Sequence, residues 1–322
     1  MAEVAPYPPL VTDTPDLSTT SGDRLLNVWL SGDPNGRALV FHPGTPGPPT
    51  RWKAFDDAAE RHGLRVITYA RPGYSGSARH RGRSVANAAD DTAAVLDTLG
   101  VEDFLTLGHS GGGPHALACG ALLPHRCRAA VALASVAPYD AEGLDWLGGM
   151  ADENVVEFGK TLLGESEYRS YLEEEIANYA DVTADEVADA LRGLVPDVDK
   201  AVLTGDTAEM AATTFRRVAR DGLEGWLDDG LAFVQPWGFD LASMTVPVAV
   251  WQGRHDKMVP YAHGEWLVAH IPTARPHLLD EDGHLTLLAN RLDEILVDAL
   301  DMAGLPGPKP PRDPRSSWAS RP

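Results

Sequence analysis

Residues 104–124 read FLTLGHSGGGPHALACGALLP. A short apolar run (104–108) passes directly into Gly108-His109-Ser110-Gly111-Gly112, a G-x-S-x-G pattern, and a helical stretch follows with Pro114 in its first turn. Proline is harmless there, because the first N–H groups of a helix have no partner within it. Strand, sharp turn and helix in that order lift a serine hydroxyl above the edge of a sheet. The turn holds Ser110 in a strained backbone conformation, and side chains two residues to either side would collide with neighbouring backbone. The hydroxyl then stands beside the first amides of the helix, where an anionic intermediate is best stabilised. A near repeat, Gly73-Tyr74-Ser75-Gly76-Ser77, leads into a polar basic stretch (Arg79, His80, Arg81, Arg83) instead of a helix. Ser75 therefore reads as a loop residue.

Working outward, strands are expected at 24–30, 38–42, 65–69, 104–108 and 128–135, and helices at 51–63, 84–100 and 111–124. Alternating helices and nearly continuous apolar strands predict an α/β fold: a mostly parallel sheet with helices on both faces. The alternation stops near Tyr139. It resumes with a strand at 246–253, a helix at 261–270, a strand at 275–279 and a last helix near 285–302. The intervening residues read as amphipathic helices without a strand. In one, Thr183 and Glu186 fit a capping box, and Val187, Leu191, Leu194 and Val195 form one apolar stripe. The span 140–235 holds 23 acidic and 7 basic residues, most simply read as solvated helix faces. The expected organisation is a loose lead-in (1–22), a core in two parts (23–139 and 239–303), an all-helical insert (140–238) and a Pro-rich tail (304–322) that cannot pack a core.

At 322 residues, with 43% hydrophobic and 23% charged residues, the chain has ordinary globular proportions. A formal net charge of −20 repels phosphate backbones, which argues against nucleic-acid or anionic-membrane partners. Cys119 and Cys127 are too few for a disulfide framework and read as reduced, buried thiols. The N-terminal stretch lacks a basic and an apolar region of the secretory kind, and no apolar run reaches a membrane-spanning length. A cytoplasmic location is expected. Metal-binding H-E-x-x-H and C-x-x-C patterns and a phosphate-cradling glycine loop are absent from the sequence, so no metal and no cofactor are expected.

A serine nucleophile needs a base and an acid to orient that base. His284, in DEDGHLTLL, follows the last strand and precedes the last helix. Asp256, in WQGRHDKMVP, follows the strand before it. The order Ser110, Asp256, His284 is expected when the three groups come from successive loops at the carboxyl edge of one sheet. After the strand at 38–42 comes His42-Pro43-Gly44-Thr45-Pro46-Gly47, where only Gly44, Thr45 and Gly47 retain an N–H beyond the histidine. The Thr45 amide paired with that of Gly111 would complete an oxyanion hole. Gly44, His109, Trp146 and Trp237 are the expected substrate contacts. Trp146 and Trp237, with Phe158, Phe215, Trp226 and Phe233, either line an apolar pocket or form the core of the insert.

In HPGTPG, YARPGYSGSA, GHSGGG, GRHDKMVP and DGHL, taken in order and spacing, the chain resembles the α/β-hydrolase superfamily over roughly residues 20–303. The resemblance implies Ser110 as nucleophile, His284 as base, Asp256 as orienting acid, the Thr45 and Gly111 amides as the hole, and the helical insert as a cap over the site. One departure is Pro43, which stands where the family's loop carries a bracing histidine. The expected activity is acyl transfer through a seryl acyl-enzyme, on a small, partly hydrophobic carboxylic ester. Relatives that displace at saturated carbon use a carboxylate where Ser110 stands. Carbon–carbon bond hydrolysis, prolyl-type aminopeptidase activity and a non-catalytic small-molecule receptor remain alternatives. The expected partner is a small-molecule substrate.

Overall fold

The computed structural model describes residues 14–305. Eight strands form one sheet: β1 (Leu17–Ser21), β2 (Arg24–Gly32), β3 (Arg37–His42), β4 (Leu64–Tyr69), β5 (Phe104–His109), β6 (Cys127–Leu133), β7 (Val248–Gly253) and β8 (Ala274–Leu279). Their spatial order is β1-β2-β4-β3-β5-β6-β7-β8. The β1–β2 and β2–β4 pairs are antiparallel, and every later pair is parallel. β1 lies inside the stretch expected to be a loose lead-in. Its sequence, LSTTS, is short and polar, and only its antiparallel pairing with Arg24–Val28 makes it a strand. Residues 1–13 and 306–322, including most of the Pro-rich tail, lie outside the described residues.

Two apolar layers cover the sheet. On one face α1 (Lys53–Arg61) and α11 (His284–Met302) bury Phe55, Ala58, Leu292, Ile295 and Leu296 against β3, β5, β6 and β7. On the other, α2 (Asn87–Thr98), α3 (Gly113–Leu122) and α10 (Tyr261–His270) bury Val95, Leu96, Leu117 and Leu267. Cys119 and Cys127 are buried and unbridged.

Between β6 and β7 the chain forms six helices: α4 (Asp152–Leu162), α5 (Glu165–Ile176), α6 (Ala184–Leu194), α7 (Asp197–Lys200), α8 (Gly205–Asp221) and α9 (Glu224–Phe233). The capping box at α6 is formed, with Thr183 Oγ1 accepting from Glu186 N and Glu186 Oε2 from Thr183 N at 2.9 Å. A third apolar cluster joins this insert to the core: Tyr168, Leu172, Val218, Trp226 and Leu227 pack on Trp29, Ala70 and Tyr74. Part of the insert's acidity is used here. Arg79 binds Glu224 and, at 2.8 Å, Asp228, while Arg81 binds Glu165 at 2.8 Å.

The strand order reverses direction between β3 and β5, which lie side by side with His42 opposite Gly108. A crevice opens at such a switch point, because the two following loops depart from adjacent strand ends. Here those loops are HPGTPG and the Ser110 turn. Among the described residues no helix is long and apolar enough to cross a membrane.

Candidate active site

Ser110 sits at φ +54°, left-handed backbone that a residue bearing a side chain rarely adopts. The flanking glycines make the turn possible. A Cβ on Gly108 would run into the Gly112 carbonyl, and one on Gly112 into that of His42. A single turn (Ser110–Gly112) then leads into α3. Ser75 also has positive φ, but its hydroxyl donates to Asp221 Oδ2 at 3.1 Å and no helix follows it.

The HPGTPG loop passes directly over this turn. A Cβ on Gly44 would lie 3.3 Å from Ser110 Cβ, and one on Gly111 would lie 2.9 Å from Thr45 Cβ. The residues expected to supply the two oxyanion amides are therefore in contact. Arg71 braces the loop from beneath. Its Nη1 donates to Pro43 O at 2.7 Å and its Nη2 to Gly44 O at 2.8 Å. Arg71 is held by Asp229 of α9 (2.6 Å), which also accepts from Tyr74 Oη and Thr45 Oγ1, both at 2.9 Å, and pairs with Arg83 at 2.5 Å. Burial alone would push the Asp229 carboxyl up; the two guanidinium groups instead hold it far below the usual carboxylate range.

Asp256 and His284 come together in the interior. Asp256 Oδ2 lies 2.8 Å from His284 Nδ1, and both side chains are buried. The carboxylate is fully engaged: Oδ1 accepts from Met258 N (2.9 Å) and Val259 N (2.8 Å), and Oδ2 also accepts from Gln252 Nε2 (3.0 Å). Burial disfavours the imidazolium, but the Asp256 charge and its hydrogen bond outweigh burial and, with Asp199 behind, raise His284 above its ordinary value. His109 donates from Nε2 to His284 O at 3.3 Å, with its ring 4.9 Å from that of His284. Burial, then the nearby His284, lowers His109 to about 3, so it stays neutral.

Ser110, His109, His284, Gly44 and Thr45 line a cavity of about 200 Å³, walled by Phe41, Phe55 and Leu288 of the core and by Leu191, Met210 and Phe215 of the insert. Ser110 and His284 face this cavity without a hydrogen bond between them among the described residues, whereas the Asp256–His284 bond is already made. Trp146 and Trp237, expected as substrate contacts, are not among its lining residues. Trp146 packs edge-on to Phe158 at 4.6 Å and donates to Ala137 O, while Trp237 is buried beside Phe239 at 5.9 Å. Both are core residues at the two ends of the insert, where flat apolar rings gain most from full burial.

Three residues escaped the sequence reading: Arg71, Asp229 and Asp199. Arg71 stood in a quoted motif, yet nothing in the sequence ties it to an aspartate 158 positions on.

A serine on a strand-to-helix turn after β5, a buried carboxylate–imidazole pair in the loops after β7 and β8, and a glycine loop over the turn thus meet at one edge of a doubly wound sheet. The profile of the alpha/beta hydrolase fold matches residues 37–290, and the chain belongs to this family. Among curated proteins it is similar to a 2-hydroxy-6-oxononadienedioate/2-hydroxy-6-oxononatrienedioate hydrolase of Cupriavidus pinatubonensis, at 27% identity over 76% of this chain and 79% of the relative. Among solved structures it is similar to a bromoperoxidase from Bacillus anthracis (TM-score 0.66, 20% identity, covering 88% of this chain and 99% of that one). The enol-lactonase of Burkholderia xenovorans is similar too (TM-score 0.61, 20% identity, covering 88% and 100%). These two likenesses concern the fold.

Proposed function

We propose that the chain is a serine hydrolase acting through Ser110, His284 and Asp256, on a small carboxylic ester with a hydrophobic portion. The observation that carries this reading is the buried 2.8 Å Asp256–His284 pair opening on the same cavity as Ser110. Asp256 fixes the tautomer: with Nδ1–H donated to the carboxylate, Nε2 is the free acceptor. Ser110 Oγ gives its proton to that nitrogen as it bonds to the substrate carbonyl carbon. The carbonyl oxygen, now negative, is received by the Thr45 and Gly111 amides, and Arg71 holds their loop through the Pro43 and Gly44 carbonyls. The tetrahedral adduct collapses as His284 returns the proton to the leaving oxygen. Water then repeats the sequence on the acyl-enzyme. The mostly apolar cavity favours a hydrophobic acyl or alcohol portion, and the helical insert acts as its cap.

A second reading, hydrolysis of a carbon–carbon bond next to a carbonyl, is favoured by the likeness to the Cupriavidus hydrolase. The test compares turnover of nitrophenyl esters with that of a vinylogous diketone, for wild type and Ser110→Ala. Ester turnover that vanishes in the variant supports the first reading. Strong diketone turnover with weak ester turnover supports the second, and turnover of either that survives the substitution overturns the nucleophile.

A further inference from the structure

The helix that begins with His284 is capped from a distance of 85 residues. Asp199, on the short helix α7 of the insert, is completely buried against the first turn of α11. Its Oδ2 accepts from His284 N at 2.7 Å, and its Oδ1 accepts from Leu285 N at 3.0 Å, Thr286 N at 2.9 Å and Thr286 Oγ1 at 3.0 Å. Four donors converge on the carboxyl group, three on Oδ1 and one on Oδ2. The first amides of a helix normally find a cap in their own chain, one residue before the helix. Here that residue is Gly283, and a Cβ on it would lie 2.5 Å from Asp199 Oδ2. The glycine leaves the room that the carboxylate fills.

We infer that Asp199 is a positioning residue for the base: it fixes the backbone from which the His284 ring projects, and makes catalysis depend on α7 being docked. The inference rests on the triad reading above. His284 is held at both ends of its peptide backbone, its N–H by Asp199 and its C=O by His109 Nε2. A side chain anchored so closely transmits a small shift of the helix start directly to Nε2, and a misplacement of about 1 Å in a catalytic group costs on the order of a hundredfold. Three titratable groups face His284: Asp256 from the β7 loop, His109 from the serine turn and Asp199 from the insert. His109 stays neutral, so the two carboxylates set the charge felt by the ring. Asp199 adds to the pull of Asp256 toward the imidazolium.

The experiment uses the full chain with Asp199→Asn, Asp199→Ala, Gly283→Ala and the Asp199→Ala/Gly283→Ala pair, each checked for folding by circular dichroism. Asp199→Ala and Gly283→Ala should each lower kcat by about ten- to a hundredfold with KM nearly unchanged. The pair should be no worse than either single change, because both act through one contact. Asp199→Asn keeps an oxygen for the amides but loses the charge, so the acid limb of its kcat/KM profile should move to lower pH. If Asp199→Ala does not fold, Asp199→Asn carries the test alone. Folded variants with the wild-type kcat and acid limb, or single effects that add in full, overturn the inference. Titration of the His284 ring followed by NMR separates the two readings. Without wild-type turnover the triad fails, yet an unchanged ring titration in Asp199→Asn still refutes the action of Asp199.

Discussion

Asp229, on α9 of the helical insert, lies 2.6 Å from Arg71 Nη2, and both side chains are buried beneath the loop that carries Thr45. The guanidinium has no other carboxylate partner among the described residues, and its remaining donors hold the Pro43 and Gly44 carbonyls and Thr45. A buried ion pair is weak evidence of net stabilisation, but removing one partner strands the other charge. Asp229→Ala should therefore cost about 3–5 kcal/mol of stability and loosen the loop. Urea unfolding checks it; a loss within the range of a surface substitution would mean that solvent reaches Arg71.

Gly111 is in contact with Thr45 and, across the insert, with Phe233: a Cβ there would lie 2.9 Å from Thr45 Cβ and 3.1 Å from Phe233 Cζ. Gly111→Ala should push the loop off the serine turn and misplace both amides. The expected loss in kcat is about a hundred- to a thousandfold, that of one oxyanion donor. Steady-state kinetics on the preferred ester checks this, and full activity would exclude Thr45 from the hole.

Asp256→Asn should preserve the fold and lower kcat by about four orders of magnitude, because the amide can favour the wrong imidazole tautomer. As the proposed base, His284 must be neutral to accept a proton, and it is raised above its ordinary value of 6.5. The acid limb of wild-type kcat/KM should therefore lie above pH 6.5. A limb well below that value would place the titration on another group.

The parts that were legible in the sequence have local causes. Ser110 is announced by the glycines its turn requires, and Asp256 and His284 by their places at strand ends. Their proposed roles rest on chain order and sheet topology. The residues that support them carry no such signal. Asp199 and Asp229 are two of 23 acidic residues in 140–235, and only the tertiary fold shows that they, like Asp228, are buried. Trp146 and Trp237 mislead for a related reason, since a large apolar side chain looks the same in sequence whether it faces a ligand or a core. β1 is a strand through its partner alone, with four hydroxyl residues in its five positions.

Four histidines, three of them buried and His109 partly so, are held neutral by desolvation, reinforced in part by nearby cations. His42 and His109 are lowered to about 3, His263 to about 4, and His115 well below 6.5. The unfolded chain takes up protons on these groups below about pH 6.5 and the folded one does not. Their contribution is thus complete above 6.5 and is lost as the pH falls toward about 3. His284 acts in the opposite sense: its contribution is present below 6.5 and lost as pH rises through its raised value. Stability should fall between pH 6.5 and 5, with each neutral histidine contributing about 1.4 kcal/mol per pH unit. Urea midpoints measured from pH 7.5 to 5 check this, and a flat profile would mean these side chains are hydrated.

The most direct test of the central claim is intact mass after incubation with a fluorophosphonate probe, followed by peptide mapping of the adduct. An activated serine displaces fluoride and keeps the phosphonyl group. The account predicts one adduct, mapped to Ser110 and absent from Ser110→Ala. A folded protein that forms no adduct, or one whose adduct persists in Ser110→Ala, would contradict it.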